Sequence, residues 1–154
     1  MPSNEDTGPH KHDSYEPADW HEALSHWRDH SAEMFNDRLK SEVRSCVERI
    51  HSTTEDWRAA IDGDPAAAVK VALRLQMPDA INVRLDLAMT VLMAAAFDDA
   101  GAAAVLAVLV ESAPLDLAER TAIATSWRVH KIWCESRIRN RRRRLFRDRP
   151  EGAA

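Results

Sequence analysis

Between Leu87 and Val110 the chain is almost wholly apolar, broken at its middle by Asp98-Asp99. A helix that is apolar on every side has no face to give to water, so it belongs at the centre of a fold or in a membrane. Two aspartates at the middle of a span cost about 5–7 kcal/mol on insertion, and each flanking run is too short to cross a bilayer. The stretch therefore reads as a buried helical hairpin with Asp98-Asp99 in its turn, and no membrane span is expected. Adjacent carboxylates point to different helix faces, so the pair is not read as a catalytic dyad.

Everything around that hairpin carries helical punctuation. Gly63-Asp64-Pro65 reads as a C-terminal cap, an N-cap and a first helical residue in succession. Pro78 makes Met77-Pro78-Asp79 a turn, because the residue before proline avoids helical geometry. Ser52 to Glu55 and Asp116 to Glu119 have the form of capping boxes. These signals predict a first helix from about Pro17 to His51, breaking and restarting at Ser52. A short helix to about Gln76 follows, then the hairpin helices Asp79 to Phe97 and Gly101 to Ser112, and a last helix from Leu117 to Arg149. Only four glycines occur in 154 residues, too few for a Gly-rich phosphate loop or a dinucleotide fold. No period-two apolar alternation appears. The expectation is all-α: a bundle of five to six helices with a disordered leader over residues 1–16, a single domain over 17–149 and a tail over 150–154.

Charge is distributed unevenly. Residues 137–149 read RIRNRRRRLFRDR, eight arginines with one aspartate, so a chain of net charge −4 carries −11 on the remainder. Seventeen arginines against four lysines, with abundant alanine, also fit the codon bias of a GC-rich genome. On a helix, Trp127, Cys134, Ile138 and Leu145 fall within an arc of roughly 40°, which predicts an apolar edge docked on the bundle as far as Leu145 with arginines turned outward. The candidate anion-binding residues are Arg137, Arg139, Arg141, Arg142, Arg143, Arg144, Arg147 and Arg149. Guanidinium groups engage phosphate oxygens two at a time. Three readings compete: phosphate-backbone binding to nucleic acid without base reading, binding to an acidic protein surface or anionic lipid, or pairing with the chain's own acids.

A second pattern points elsewhere. Leu39, Val43, Cys46 and Ile50 step by four and three along the first helix, a heptad seam suited to an oligomer interface and a possible homodimer. His26 with His30, and His130 with Cys134, have the four-residue spacing of metal ligands on a helix. Seven histidines supply such pairs by chance, and no metal or other cofactor is expected. His10-Lys11-His12 falls in the leader and reads as solvated. Trp-Arg recurs at Trp27, Trp57 and Trp127, where core anchoring with the arginine turned to solvent is the simpler reading than a clamp on a single strand. A helix-turn-helix over residues 67–87 fails because its second helix is too apolar to enter a groove.

Recognisable catalytic motifs are absent, so a non-enzymatic role is expected. Cys46 and Cys134 lack a CxxC partner and fit packed thiols in a reducing compartment, and the acidic N-terminus lacks the form of a signal peptide. The chain reads as a bacterial-type cytoplasmic accessory protein that engages nucleic acid through its C-terminal helix. The alternative is a protein-interaction or oligomerisation module.

Overall fold

The computed structural model describes residues 19–76 and 79–147, with side chains from Glu22 onward. The predicted leader, His10-Lys11-His12, Met77-Pro78 and Arg149 lie outside the described residues. Seven α-helices and no strand occur among them: α1 Asp19–Asp29, α2 Asp37–Arg49, α3 Trp57–Ile61, α4 Pro65–Leu75, α5 Val83–Ala96, α6 Ala100–Ser112 and α7 Leu117–Arg147, with a 3-10 turn at Ala32–Met34 before α2. The all-α bundle is as expected, with seven helices rather than five to six.

α5 and α6 form the central hairpin. Met89, Leu92 and Met93 on α5 and Ala103, Leu106 and Val110 on α6 are completely enclosed. Asp99 caps α6 by accepting from the Ala102 N–H at 2.7 Å, which explains the acids in the middle of the apolar stretch. Neither helix is long and apolar enough to cross a membrane, nor is any other among the described residues.

The single first helix is corrected to two. α1 ends at Asp29, and the chain turns so that Phe35 enters the core against Phe97 and Trp127, at ring separations of 5.1 and 6.0 Å. The Ala32 N–H donates to Ser126 Oγ on α7 at 2.8 Å, and Asn36 restarts the helix by accepting from the Leu39 N–H.

Two further boundaries shift. Asn82, not Asp79, caps α5 by accepting from the Leu85 N–H at 2.9 Å. The Ser52–Glu55 capping box does not form. Ser52 Oγ accepts from the Thr54 N–H and donates to the Thr54 hydroxyl oxygen, and α3 begins only at Trp57, after Asp56 in the left-handed region at φ 66°. Asp56 and Glu55 instead pair with Arg74 of α4, at 2.8 and 3.3 Å.

α7 runs unbroken for 31 residues, about 46 Å at 1.5 Å per residue. Its first half packs against α6 and buries Ile123, Ala124 and Trp127, and Cys134 just beyond meets the α5–α6 turn at Phe97.

Candidate anion-binding face

The attachment of α7 to the body stops well short of Leu145. Cys134, 3 % exposed, is the last buried residue of the helix; Ile138 is 46 % exposed and Leu145 68 %. The expected docked edge is thus corrected: it ends near Ile138. The reason lies in α6. His130 Nε2 sits 2.9 Å from the Phe97 carbonyl oxygen and the Cys134 thiol points at the same atom, so Cys134 is already level with the α5–α6 turn. Beyond that turn no described residue of α7 is buried. Residues 135–147 extend past it for about 20 Å as a single helix, continuous with a packed one that supplies its nucleus.

Arginines on this overhang differ from those on the body. Arg28, Arg38, Arg44, Arg58, Arg74 and Arg128 each lie within 4 Å of a carboxylate. Among the described residues, Arg137, Arg139, Arg141, Arg142, Arg143, Arg144 and Arg147 form no ion pair, and all seven are exposed. Among the described residues, no acid pairs with any of these seven. Arg139 donates to Ser136 Oγ at 3.3 Å. The Arg137 guanidinium lies 4.7 Å over the Trp133 ring, a cation–π contact that fixes its direction.

Spacing divides the arginines between faces. Arg137, Arg141 and Arg144 follow one another at steps of four and three, so they share one side of the helix. With Asn140 and Ile138 they line an open groove whose inner end is formed by Cys134 and Asp98. Asp98 pairs with Arg44 at 2.7 Å, so the acid at the base of the groove is already neutralised. Burial pushes the Cys134 thiol up from its ordinary range, and Asp98 adds to the effect; the thiol stays protonated and unreactive at neutral pH. Arg139, Arg142, Arg143 and Arg147 point to the other sides. Trp133, half-exposed beneath Arg137, was not singled out in the sequence. Its four-residue spacing from Arg137 was the available signal.

The remaining sequence candidates take structural positions. Val43 and Cys46 are buried, and Leu39 and Ile50 pack against them inside the chain's own core. The oligomer seam assigned to these four residues is therefore corrected to an intramolecular one, facing α1 and α5. Trp27, Trp57 and Trp127 are core anchors. Their neighbours Arg28, Arg58 and Arg128 pair with Asp86, Asp62 and Glu111.

The two ligand-spaced pairs each close up, His26 and His30 with ring centroids 4.6 Å apart and Cys134 Sγ 3.5 Å from His130 Nε2. Phe35 stands between them, and among the described residues no three histidine, cysteine or acidic side chains converge on a point where a metal would sit. α5, the second helix of the considered helix-turn-helix, is enclosed by the bundle and presents no free recognition face.

No protein-family model, curated protein or solved structure matches the chain.

Proposed function

We propose that this is a non-catalytic accessory protein that binds nucleic acid by its phosphate backbone, through the face formed by Arg137, Arg141 and Arg144. One observation carries the reading: Arg28, Arg38, Arg44, Arg58, Arg74 and Arg128 of the body lie within 4 Å of carboxylates, while among the described residues none of the seven overhang arginines does. Exposed cations four residues apart repel one another by a few tenths of a kcal/mol per pair in an isolated helix. A polyanion outside the chain removes that repulsion.

Affinity on this reading comes from counterion release and not from contacts with base edges. Sequence preference on this reading is weak, because phosphate contacts carry no base information. Phosphate selects arginine over lysine here because a planar guanidinium engages two oxygens.

Fluorescence anisotropy with labelled duplex DNA, single-stranded DNA and duplex RNA tests the proposal across salt concentrations. On duplex DNA the logarithm of the affinity should fall with the logarithm of salt at a slope of about −0.9 for each phosphate engaged. Substituting Arg137, Arg141 and Arg144 by Gln should flatten that slope and remove most binding. A chain ending at Glu135 should bind none of the three. Absence of salt-sensitive binding by the intact chain, or a triple variant that binds as tightly as the wild type, would overturn the proposal.

A further inference from the structure

The arginines of the overhang are not confined to one side of it. Counted from Asn140 at about 100° per residue, Arg137 and Arg143 lie about 60° to either side, and Arg141 and Arg139 about 100° to either side. Arg144 and Arg147 fall about 40° and about 20° from the same line, one and two turns further on. Six arginines thus span an arc of about 200°, with the short, uncharged Asn140 at its centre. From Ser136 to Arg147 no acidic residue interrupts the overhang, and Asn140 and all six arginines are exposed. Ile138 and Leu145 lie together outside the arc. Ile138 follows the buried Cys134 by one turn, on the side toward the body.

We infer that the overhang lies in the major groove of double-stranded DNA, with its arginines reaching the phosphates of both strands. The inference rests on the phosphate-binding reading above and names its partner. A flat acidic surface or a single strand meets one side of a helix. It would leave either Arg137 and Arg141 or Arg139 and Arg143 facing water. Charge on both flanks calls for anions on both flanks, and the two backbones that border a duplex groove supply them.

Dimensions select the groove. A helix with its side chains is about 10–12 Å across, and the B-form major groove is about 12 Å wide and about 8.5 Å deep. The minor groove, at about 6 Å, is too narrow, and the A-form major groove of duplex RNA is deep and narrow. Cys134 is the last buried residue of α7, so residues 135–147 offer about 20 Å of helix for insertion. Arg137 and Arg141 then face one strand, and Arg139 and Arg143 the other. Asn140, Arg144 and Arg147 face the floor, where side chains meet base edges, while phosphate contacts still carry the affinity.

Anisotropy titrations at one salt concentration compare a duplex DNA with its own single strand, with the same sequence as duplex RNA, and with a glucosylated duplex. In the last, cytosines carry glucosylated 5-hydroxymethyl groups that fill the major groove. Unmodified duplex DNA should bind more tightly than each by an order of magnitude or more, and the minor-groove ligand netropsin should not compete. Arg139→Gln with Arg143→Gln should weaken duplex binding about as much as Arg137→Gln with Arg141→Gln, each pair flattening the salt slope by about 1.8.

Equal affinity for plain and glucosylated duplexes, or for duplex DNA and either the single strand or duplex RNA, would overturn the inference and leave phosphate binding in place. So would competition by netropsin, or wild-type binding by the variant lacking Arg139 and Arg143. Absence of salt-sensitive binding to every probe would remove the inference together with the reading beneath it.

Discussion

The indole N–H of Trp27 donates to Asp86 Oδ1 at 2.8 Å, joining α1 to α5 across 59 residues of chain. The same carboxylate lies 3.5 Å from the Arg28 guanidinium. One turn further on, Thr90 donates to the Asp86 carbonyl oxygen at 2.6 Å, with the Leu24 carbonyl oxygen 3.4 Å away. α1 is therefore held on the central hairpin by a polar clasp as well as by apolar contact. A buried donor that loses its acceptor costs more than the bond itself contributed.

Asp86→Ala should accordingly destabilise the fold by about 2–3 kcal/mol, since it strands the Trp27 N–H and leaves Arg28 without its carboxylate. Asp86→Asn keeps an oxygen for the indole and loses only the charge facing Arg28, so its cost should stay near 1 kcal/mol. Urea unfolding followed by tryptophan fluorescence separates the two. Equal losses for both variants would mean that the indole bond contributes nothing.

Acid should loosen α1 and α2 through His26. This ring is 5 % exposed, and its Nδ1 has no hydrogen-bond partner. Burial lowers its pKa below the ordinary histidine value and His30 lowers it further, against the opposing pull of Glu22 and Asp29 on α1 and Glu42 on α2. A histidine with a lowered folded-state pKa binds its proton more readily in the unfolded chain. The stability it contributes is fully present above about pH 6.5, the unfolded value, and is lost as pH falls toward the folded-state pKa. The urea midpoint should therefore drop between about pH 7 and pH 5, and His26→Leu should reduce that dependence. An identical pH profile in the variant would remove His26 as the cause.

Gly63-Asp64-Pro65 was legible in the sequence because each residue acts through its own backbone preference, and the structure places all three as expected. The central hairpin was legible for a similar reason, since a helix without a polar face has few places to go. Phe35 was not. The break before α2 depends on Ala32 bonding to Ser126, 94 residues away, and no local pattern carries that information. Leu39, Val43, Cys46 and Ile50 show the same limit from another side. Heptad spacing states that a helix will cover these residues but not which helix, and α1 and α5 of the same chain do so. For the arginines, periodicity gave the division between faces. Where the body ends beneath them depends on the length of α6, which the tail's own pattern does not record.

Gly63 offers a direct test of the turn between α3 and α4. Its φ is +103°, and a Cβ added there would meet no atom within 4 Å. Gly63→Ala should cost about 1–2 kcal/mol through backbone strain alone. Asp64→Ala, which removes the acceptor for the Ala66 and Ala67 N–H groups, should cost about 1 kcal/mol. Asp64→Asn should restore most of that loss, as asparagine caps nearly as well as aspartate. Thermal unfolding gives all three values, and a neutral Gly63→Ala would contradict the strained geometry.

The overhang should respond to salt separately from the body. Arg137 and Arg141, and Arg139 and Arg143, are like charges four residues apart that no carboxylate among the described residues pairs with, each pair unfavourable by about 0.2–0.5 kcal/mol in a helix. Raising ionic strength shortens the range of that repulsion to a few ångströms, so ellipticity at 222 nm should increase modestly with added sodium chloride. Replacing Arg141 to Arg144 by Gln should produce the same gain at low salt and make the signal insensitive to further salt. The global unfolding midpoint should move by less than about 0.5 kcal/mol equivalent, because all four side chains are exposed and none is ion-paired among the described residues. A large fall in that midpoint would show that the overhang is coupled to the core, contrary to its exposure.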